Sequence, residues 1–405
     1  MVLIGISFFL LTKFVIWLDF LIMRATRALI HLDNLKSNII EIKKCLKPET
    51  KMCVAVKADA YGHGAVPCAK AAVEAGADYL SVATCEEGVE LRNAGISSPI
   101  LMLSLCSPNE VEEVVSAGIT PFVFDEEYIE LFSVACNKLG IENFAVHLAV
   151  DTGMGRIGCL PSEAGKIALK IKSCKNLVLG GTATHFALSD CVSEKGKSYT
   201  KFQFENFLEA ISNIKKAGIN PGLCHCANSA ATLDSPEMHL DMVRPGIIVY
   251  GYYADEVSKE YLASKGKSVE LKPVMTLESC VSSIRQFKKG NFAGYGCRWE
   301  AKSDTNVGVI PVGYADGLFR RFSECGVKIA VDGKNYPICG RICMDQCIID
   351  LGADCNAKRW DKAILFGDSS DGALQTADDI ARLTGTISYE ITCGISKRVL
   401  RVFVQ

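Results

Sequence analysis

Short apolar runs alternate with amphipathic segments along the first two thirds of the chain. Each run is rich in β-branched residues or other apolar residues and ends at a loop, which is typical of buried strands in a parallel sheet. Eight runs are predicted as strands: residues 52–56, 79–83, 100–104, 120–124, 144–150, 177–184, 222–226 and 241–243. The clearest helix is predicted over residues 200–217, where one stripe contains Phe204, Phe207, Leu208, Ile211 and Ile214.

Eight strands that alternate with helices are typical of a (β/α)8 TIM-type barrel. A doubly wound open sheet has the same alternation, and periodicity alone does not choose between the two architectures. The chain therefore belongs to the α/β class, and we favour the barrel.

The pattern changes after about residue 252. Residues 255–272 are polar, and the later apolar runs (274–284, 307–312, 327–331 and 347–351) are separated by turn signals at Lys289-Gly290 and Asp332-Gly333. Close turns and alternation predict a mostly antiparallel β domain, with one short helix over 377–383. The predicted domains are a barrel over residues 23–255 and a C-terminal β domain over residues 256–405.

Residues 1–22 form a separate apolar segment. Residues 2–22 are almost wholly apolar and reach the length of roughly 20 residues that spans a bilayer, but Lys13 and Asp19 interrupt them. No basic residue precedes the run, and no small-residue cleavage site follows it. We interpret the segment as an N-terminal extension from a misplaced start, in preference to a membrane anchor. Any membrane contact is expected only there.

Composition excludes several classes of protein. Hydrophobic residues make up 49% and charged residues 22%, as in globular proteins rather than disordered ones. Forty-four basic and 46 acidic side chains give a net charge of −2, so no basic field is present to hold nucleic acid. The 19 cysteines lack the dense spacing of a secreted disulfide scaffold, which favours reduced thiols in the cytoplasm.

Two groups of cysteines raise the alternative of a metal site. Cys339, Cys343 and Cys347 recur every four residues, and residues 224–226 read Cys-His-Cys. The spacing partly fits structural zinc sites, but a strand would place these side chains on two faces. We therefore predict free thiols that act as small hydrophobes and no metal.

Lys57 is the first candidate for chemistry. It directly follows the first predicted strand, where burial would depress the pKa of its amine and leave a nucleophile. A surface lysine at a strand end is the better interpretation of one lysine alone. Tyr61, Gly62 and Gly64 follow within a short loop and strengthen the case for a site at the carboxyl end of a barrel strand.

Segment 56–64, Val-Lys-Ala-Asp-Ala-Tyr-Gly-His-Gly, resembles the cofactor-lysine motif of the pyridoxal-phosphate-dependent alanine racemases of fold type III. Eight further segments match that family in the same order: residues 151–158, 184–186, 227–230, 243–247, 294–296, 311–317, 340–346 and 389–391. The matches cover nearly all of the chain after about residue 28. The resemblance implies the same barrel and β domain that the pattern predicts.

The resemblance also implies a set of cofactor contacts. Lys57 would form the Schiff base with pyridoxal 5′-phosphate, while Arg156 would donate to its phenolic oxygen and Arg244 would face its pyridine nitrogen. His185 would hydrogen-bond Arg244. The phosphate would be held by residues that supply hydroxyl or backbone N–H donors: Tyr61, Ser229, Gly246, Ile247 and Tyr389. Each has a plainer alternative, such as a helix N-cap for Ser229 or an arginine stem packed at a strand end for Arg244.

Racemisation requires proton transfer on both faces of a planar carbon. By resemblance, Lys57 serves one face and Tyr295 the other, and Tyr295 comes from the second subunit of a homodimer with composite active sites. Substrate contacts fall on Arg156, Tyr314, Met344 and Asp345.

One residue departs from the family pattern. Several members carry a lysine where this chain has Ala149, and that lysine braces the arginine that corresponds to Arg156. An alanine side chain cannot do so, and a bound chloride or another residue would have to replace it.

The resemblance implies an isomerase that interconverts L- and D-alanine and supplies D-alanine for peptidoglycan. The alternatives are a racemase of another small amino acid such as serine, a related decarboxylase, and a non-catalytic barrel that carries pyridoxal phosphate. The second domain and Tyr295 argue against the carrier.

Overall fold

The structure, a computed structural model, describes residues 24–405, so the predictions for residues 1–22 lie outside the described residues. The described chain forms two compact units. The barrel unit comprises Ile30–Met275, Thr376–Gly394 and Phe403–Gln405, and the β unit comprises residues 24–29, Thr276–Gln375 and Ile395–Val402. The domain boundary at residue 255 stays a prediction, because these units are assembled from separate stretches of the chain.

Eight parallel strands form the centre of the barrel unit. The chain first forms β1 (Arg27–His31) and then, in sequence order, the barrel strands β2 (Lys51–Ala55), β3 (Tyr79–Val82), β4 (Ile100–Met102), β5 (Ile119–Val123), β6 (Phe144–Ala149), β7 (Leu177–Ala183), β8 (Leu223–His225) and β9 (Met242–Val243). Their spatial order is β8-β7-β6-β5-β4-β3-β2-β9, and every ladder is parallel.

The two ends of this sheet approach each other. The Asp241 N–H donates to the Cys224 carbonyl at 3.0 Å, and the Arg244 N–H donates to the Ala227 carbonyl at 2.8 Å. The sheet therefore nearly closes, which confirms the predicted (β/α)8 barrel and excludes the open sheet. Each predicted strand overlaps an observed one, and no predicted end differs from the observed end by more than two residues.

The helices of the barrel unit are α1 (Leu32–Lys44), α2 (Lys57–Gly62), α3 (Ala65–Glu74), α4 (Cys85–Asn93), α5 (Val111–Ser116), α6 (Glu126–Leu139), α7 (Ala164–Ser173), α8 (Glu194–Lys216), α9 (Ser229–Asp234), α10 (Lys259–Ser264), α11 (Ala377–Thr384) and α12 (Ser388–Cys393). Local capping explains where several of them begin. Thr84 and Glu87 form a capping box at α4, and the side chains of Asp125 and Ser193 cap α6 and α8.

The β unit contains strands β10 (Met275–Cys280), β11 (Ser283–Phe287), β12 (Phe292–Ala293), β13 (Trp299–Glu300), β14 (Thr305–Ile310), β15 (Lys328–Val331), β16 (Lys334–Pro337), β17 (Cys347–Gly352), β18 (Lys362–Phe366) and β19 (Leu400–Val404). They form a six-stranded sheet (β16-β15-β18-β10-β1-β19), a three-stranded sheet (β11-β14-β17) and a two-stranded sheet (β12-β13). The ladders resolved among β10–β18 are all antiparallel, so the predicted mostly antiparallel β domain is confirmed.

Local sequence explains one hairpin of this unit and a split strand. Asp332 and Gly333 both have positive φ and join β15 to β16, as a tight two-residue hairpin requires. The run predicted over 274–284 is two strands, because the chain leaves the six-stranded sheet after β10 and enters the three-stranded sheet as β11. Within residues 24–405, no helix combines the length and apolar composition that crossing a membrane demands.

Candidate active site at the carboxyl ends of the barrel strands

Lys57 lies at the carboxyl end of β2 and begins an unusual turn. Ala58, Asp59, Ala60 and Tyr61 all have φ between 51° and 54°, so α2 is a left-handed turn. Such a conformation costs roughly 1–2 kcal/mol per L-residue and is held only where surrounding contacts impose it. Hydrogen bonds impose it here: the Ala58 N–H donates to the Glu87 carboxylate at 2.6 Å, and Asp59 accepts from the Ala65 N–H at 2.7 Å.

Two adjoining cavities open beside Lys57. One has a volume of about 220 Å³, and Arg156 lies in its wall; the other, of about 150 Å³, is lined by Tyr61, Ser229, Gly246 and Tyr389. Four residues line both cavities: Lys57, Leu103, His185 and Arg244. The barrel unit therefore brings all the predicted cofactor-binding residues except Ile247 to the walls of two cavities that share lining residues.

The surroundings of Lys57 favour an uncharged amine. Burial lowers the pKa of Lys57, and the positive charge of Arg156 lowers it further, while Glu87 and Cys393 oppose the shift. A larger fraction of neutral amine is present near neutral pH than on an exposed lysine. The residue is thus suited to act as a nucleophile or a base.

Arg244 is buried, and its guanidinium is fixed by several acceptors. Nη1 donates to His225 Nδ1 at 2.6 Å and Nη2 to the Thr184 carbonyl at 2.7 Å, while His185 Nδ1 lies farther away at 3.4 Å. The predicted contact between Arg244 and His185 is thus present, and His225 is a second and nearer histidine partner. Burial lowers the pKa of Arg244, yet a guanidinium stays protonated at physiological pH and can only donate.

A second buried histidine continues the contact. His147 Nδ1 lies 2.9 Å from His225 Nε2. Because Arg244 can only donate, His225 must accept at Nδ1 and donate from Nε2, which makes His147 Nδ1 an acceptor. Burial, with Arg244 adding to it, lowers the pKa of His147 to about 3 and that of His225 well below 6.5, so both rings are neutral.

Sequence reasoning missed this histidine pair, although one signal was present. His147 and His225 lie on β6 and β8, with β7 between them, and β7 contains Gly180-Gly181 inside an apolar run. A Cβ at Gly181 would lie 2.6 Å from Cε1 of His147. Gly181 on β7 therefore leaves room for the His147 ring to reach from β6 to His225 on β8.

The buried histidine makes stability depend on pH. An unfolded chain protonates His147 as the pH falls through 6.5, whereas the folded protein does so only near 3, so the unfolded state binds more protons between these values. His147→Asn keeps an acceptor for His225 but removes the titration. We expect the variant to lose less stability on acidification, by up to about 1.4 kcal/mol per pH unit. Denaturant unfolding between about pH 7 and pH 5 measures this, and parallel curves for the two proteins would contradict it.

Hydroxyl and amide groups surround the smaller cavity. Ser229 Oγ accepts from the Gly246 N–H at 2.9 Å, and the N-cap of α9 is Asn228 rather than Ser229. Burial raises the pKa of both Tyr61 and Tyr389, so their hydroxyls stay protonated and can donate. A side chain at position 246 would place its Cβ 2.6 Å from the Tyr61 hydroxyl, so only glycine leaves this wall open.

Ile247 starts a buried single turn that follows Gly246, and it lines neither cavity. Ala149 lies in the wall of the larger cavity together with Arg156 and packs in an apolar cluster with Cys53, Leu101 and Phe122. The alanine side chain itself therefore offers no group that could brace Arg156.

Three further predicted site residues lie together in the β unit. The Tyr314 N–H donates to the Cys343 carbonyl, and the Ala315 N–H donates to the Met344 carbonyl, both at 3.0 Å. Asp345 forms an ion pair of 2.6 Å with Arg398, which also binds the buried Asp316. Segments 311–317 and 340–346, which are far apart in sequence, are thus adjacent in this unit.

Tyr295 begins a single helical turn in the same unit and is 69% exposed. The turn packs against the 340–346 segment, since a Cβ at Gly296 would lie 3.1 Å from Nη1 of Arg341. Its hydroxyl is therefore available to a group from outside the β unit.

The cysteines do not gather around an ion. Across the described residues, no group of three or more His, Cys, Asp or Glu side chains is arranged to hold a metal, and the cysteines are free thiols. Burial raises the pKa of Cys339 to about 12.

Two family models match this chain: "Alanine racemase, N-terminal domain" over residues 30–254 and "Alanine racemase, C-terminal domain" over residues 274–403. The alanine racemase of Treponema denticola is 49% identical over 385 residues, which is 95% of this chain and 99% of that protein. The alanine racemase of Treponema pallidum is 39% identical over 95% of this chain and all of that protein.

Solved structures agree. An alanine racemase of Clostridium difficile superposes with a TM-score of 0.87 at 38% identity, covering 95% of this chain and 96% of that one. A structure of the same enzyme in complex with cycloserine gives a TM-score of 0.85 at 36% identity, with the same coverage of both chains. By its sequence, its fold and the residues around its two cavities, this chain belongs to the alanine racemase family, isomerases that act on amino acids.

Proposed function

We propose that this protein interconverts L-alanine and D-alanine with pyridoxal 5′-phosphate as its cofactor. The observation that carries the proposal is that Lys57 and Arg244 line both cavities, while the hydroxyl and amide donors surround only the smaller one. An amine and a guanidinium thus lie in the shared wall of two cavities, and the smaller cavity offers donors that would suit an anion. Family membership and the alanine racemases named above support the same substrate.

The residues present fit this cofactor. The smaller cavity offers the hydroxyls of Tyr61, Ser229 and Tyr389 and the open wall at Gly246, where any Cβ would approach the Tyr61 hydroxyl. Hydroxyl donors suit a phosphate group. Asp190 also lines this cavity, and burial raises the pKa of its carboxyl, which favours the uncharged acid. Arg244 suits a ring nitrogen that accepts a hydrogen bond, because a guanidinium donates but does not release its proton.

The protein's own residues would then divide the work. Bound pyridoxal phosphate draws electrons from the substrate α-carbon and makes its proton acidic. Lys57 would hold the cofactor covalently and move a proton on one face, which its lowered pKa favours. Arg156, beside Ala149 in the larger cavity, would donate to the substrate side. His225 and His147 would keep Arg244 in place.

The second proton donor is proposed to be Tyr295 of a second copy of the chain in a homodimer, with Tyr314, Met344 and Asp345 near the substrate. The exposure of Tyr295 supports this assignment, because its hydroxyl is free to reach another protein surface. Asp345 would act together with Arg398, which fixes its carboxylate. Neither Lys57 nor Tyr295 alone would serve both faces of the α-carbon.

A tethered dimer tests the composite site. With Lys57→Ala in one copy and Tyr295→Phe in the other, one site stays intact, and we expect about half of the activity of the unsubstituted tethered dimer. With both substitutions in the same copy, each site loses one residue, and activity should be nearly lost. The reverse pattern would show that each site uses residues of a single copy.

The substrate is tested directly. Purified protein with added cofactor should abolish the optical rotation of L-alanine and should act less well on serine and on amino acids with larger side chains. A preference for serine would assign it to a racemase of another small amino acid. Cofactor binding without any racemisation would favour the non-catalytic barrel.

We further propose that the protein works in the cytoplasm and supplies D-alanine for peptidoglycan. Free thiols at the described cysteines agree with a reducing compartment. We propose the cell-wall role because D-alanine, the product, is the amino acid that peptidoglycan requires.

A further inference from the structure

Tyr250 stands out among the buried residues near the smaller cavity, although it lines neither cavity. It is fully buried at the end of the single turn Ile247–Tyr250, which follows Gly246. A tyrosine at zero exposure needs a partner for its hydroxyl and neighbours for its ring. Both sets of contacts lead to the residues that surround the cavities.

The hydroxyl of Tyr250 forms a hydrogen bond with the strand that leads to Lys57. It donates to the Ala55 carbonyl at 2.7 Å, and the Ala55 N–H donates to the Pro245 carbonyl at 3.1 Å. The segment from Pro245 to Tyr250 therefore begins and ends on Ala55, two residues before Lys57. Gly246, which belongs to the wall of the smaller cavity, lies within this segment.

The ring of Tyr250 holds the left-handed turn α2. It contacts the Tyr61 ring with centroids 5.0 Å apart and stacks on His63 with centroids 4.6 Å apart. Tyr61 and His63 thus contact one buried ring from the same turn. Nδ1 of His63 also lies 2.9 Å from the Ala60 carbonyl and 3.0 Å from the Tyr61 carbonyl, so the histidine is tied to the strained residues.

We infer that Tyr250 is a positioning residue for the cofactor phosphate: its ring places the Tyr61 hydroxyl, and its hydroxyl places the Gly246 turn relative to Lys57. This inference rests on the proposed function. In this inference, one buried side chain fixes the relative positions of three parts of the site. These are the strand end at Lys57, the turn that contains Tyr61, and the turn that follows Gly246.

The test compares two aldehydes on the apoprotein. Pyridoxal phosphate and pyridoxal have the same aldehyde and ring, and only the first has a phosphate, so the ratio of their dissociation constants reports the phosphate end. Tyr250→Leu removes the ring and the hydroxyl. We expect it to reduce the preference for the phosphorylated aldehyde about tenfold and to change the affinity for pyridoxal by less than about threefold.

Two further variants distinguish a specific effect on the phosphate-binding residues from a general loss of stability. Tyr250→Phe keeps the ring that places Tyr61 and removes only the hydroxyl that places the Gly246 turn, so the ratio should fall less than in Tyr250→Leu, by about threefold. Phe132 is also fully buried between two aromatic rings, those of Tyr128 and Phe144, but lies on α6 away from both cavities. Phe132→Leu should lower stability and leave the ratio unchanged.

An unchanged ratio in Tyr250→Leu, or an equal fall in Phe132→Leu, would overturn the inference. If Tyr250→Leu does not fold, His63→Leu provides the test. It removes the imidazole ring at the end of α2 that stacks on the Tyr250 ring. The same fall in the ratio is then expected, and no fall would overturn the inference. Failure of the unsubstituted protein to bind pyridoxal phosphate would instead contradict the proposed function itself.

Discussion

Replacing Lys57 by alanine should abolish racemisation, with a fall of at least about 10³-fold, because one residue supplies both the covalent attachment and a base. The lowered pKa of the amine and its place in both cavities are the reasons for this expectation. The variant should also lose the visible absorbance that covalently held cofactor gives to the purified protein. Polarimetry and an absorbance spectrum on the same sample measure both effects.

Lys51→Ala is the matched control, since Lys51 lies at the opposite end of the same strand, β2. It should keep both the colour and nearly all of the activity. A colourless but fully active Lys57→Ala protein would remove the basis of the proposed mechanism, and so would a fully active coloured one.

Replacing Arg244 by glutamate should have the second largest effect. The substitution puts a carboxylate within the space now held by a guanidinium that donates to His225 and to the Thr184 carbonyl. A carboxylate can exchange a proton with a neighbouring ring nitrogen, whereas a guanidinium does not. We expect racemisation to fall by about 10²-fold or more, and pyruvate to form as a side product when alanine leaves its amino group on the proposed cofactor.

Chiral chromatography of alanine together with a coupled assay for pyruvate measures the two products. Arg92→Glu is the control for loss of a structural arginine, because Arg92 donates to four carbonyl oxygens elsewhere in the barrel unit. It should reduce stability without producing pyruvate. An Arg244→Glu protein that racemises normally would show that the guanidinium has no part in the choice of reaction.

The barrel could be predicted closely because its strands are local apolar runs that end at loops. β1 and α1 were missed, although Leu35, Ile39 and Ile42 repeat at helical spacing, because no long apolar run marks β1 and its neighbours in the sheet are far away in sequence. The split of residues 274–284 into two strands was missed for a similar reason. Which sheet a strand joins depends on distant partners.

The candidate site shows the same limit. The resemblance supplied Lys57 and Arg244, and the barrel explains why they meet, since parallel strands end at one face. Arg244 contacts the predicted His185, but its nearer partner, His225, was not predicted. The further contact of His225 with His147 depends on the absence of a side chain at Gly181 and on the order of three strands, and the Gly180-Gly181 pair is its only local sign in the sequence.

The segment Thr376–Gly394 belongs to the barrel unit, and it carries Tyr389 to the ring of Tyr61, with centroids 5.6 Å apart. During translation, the ribosome makes the barrel strands first and this segment only after the whole of β10–β18. A nascent chain can therefore assemble the barrel sheet while one wall of the smaller cavity has not yet been synthesised. The proposed cofactor would therefore find a complete cavity only after the ribosome has added residues 376–394, more than 300 residues after Lys57.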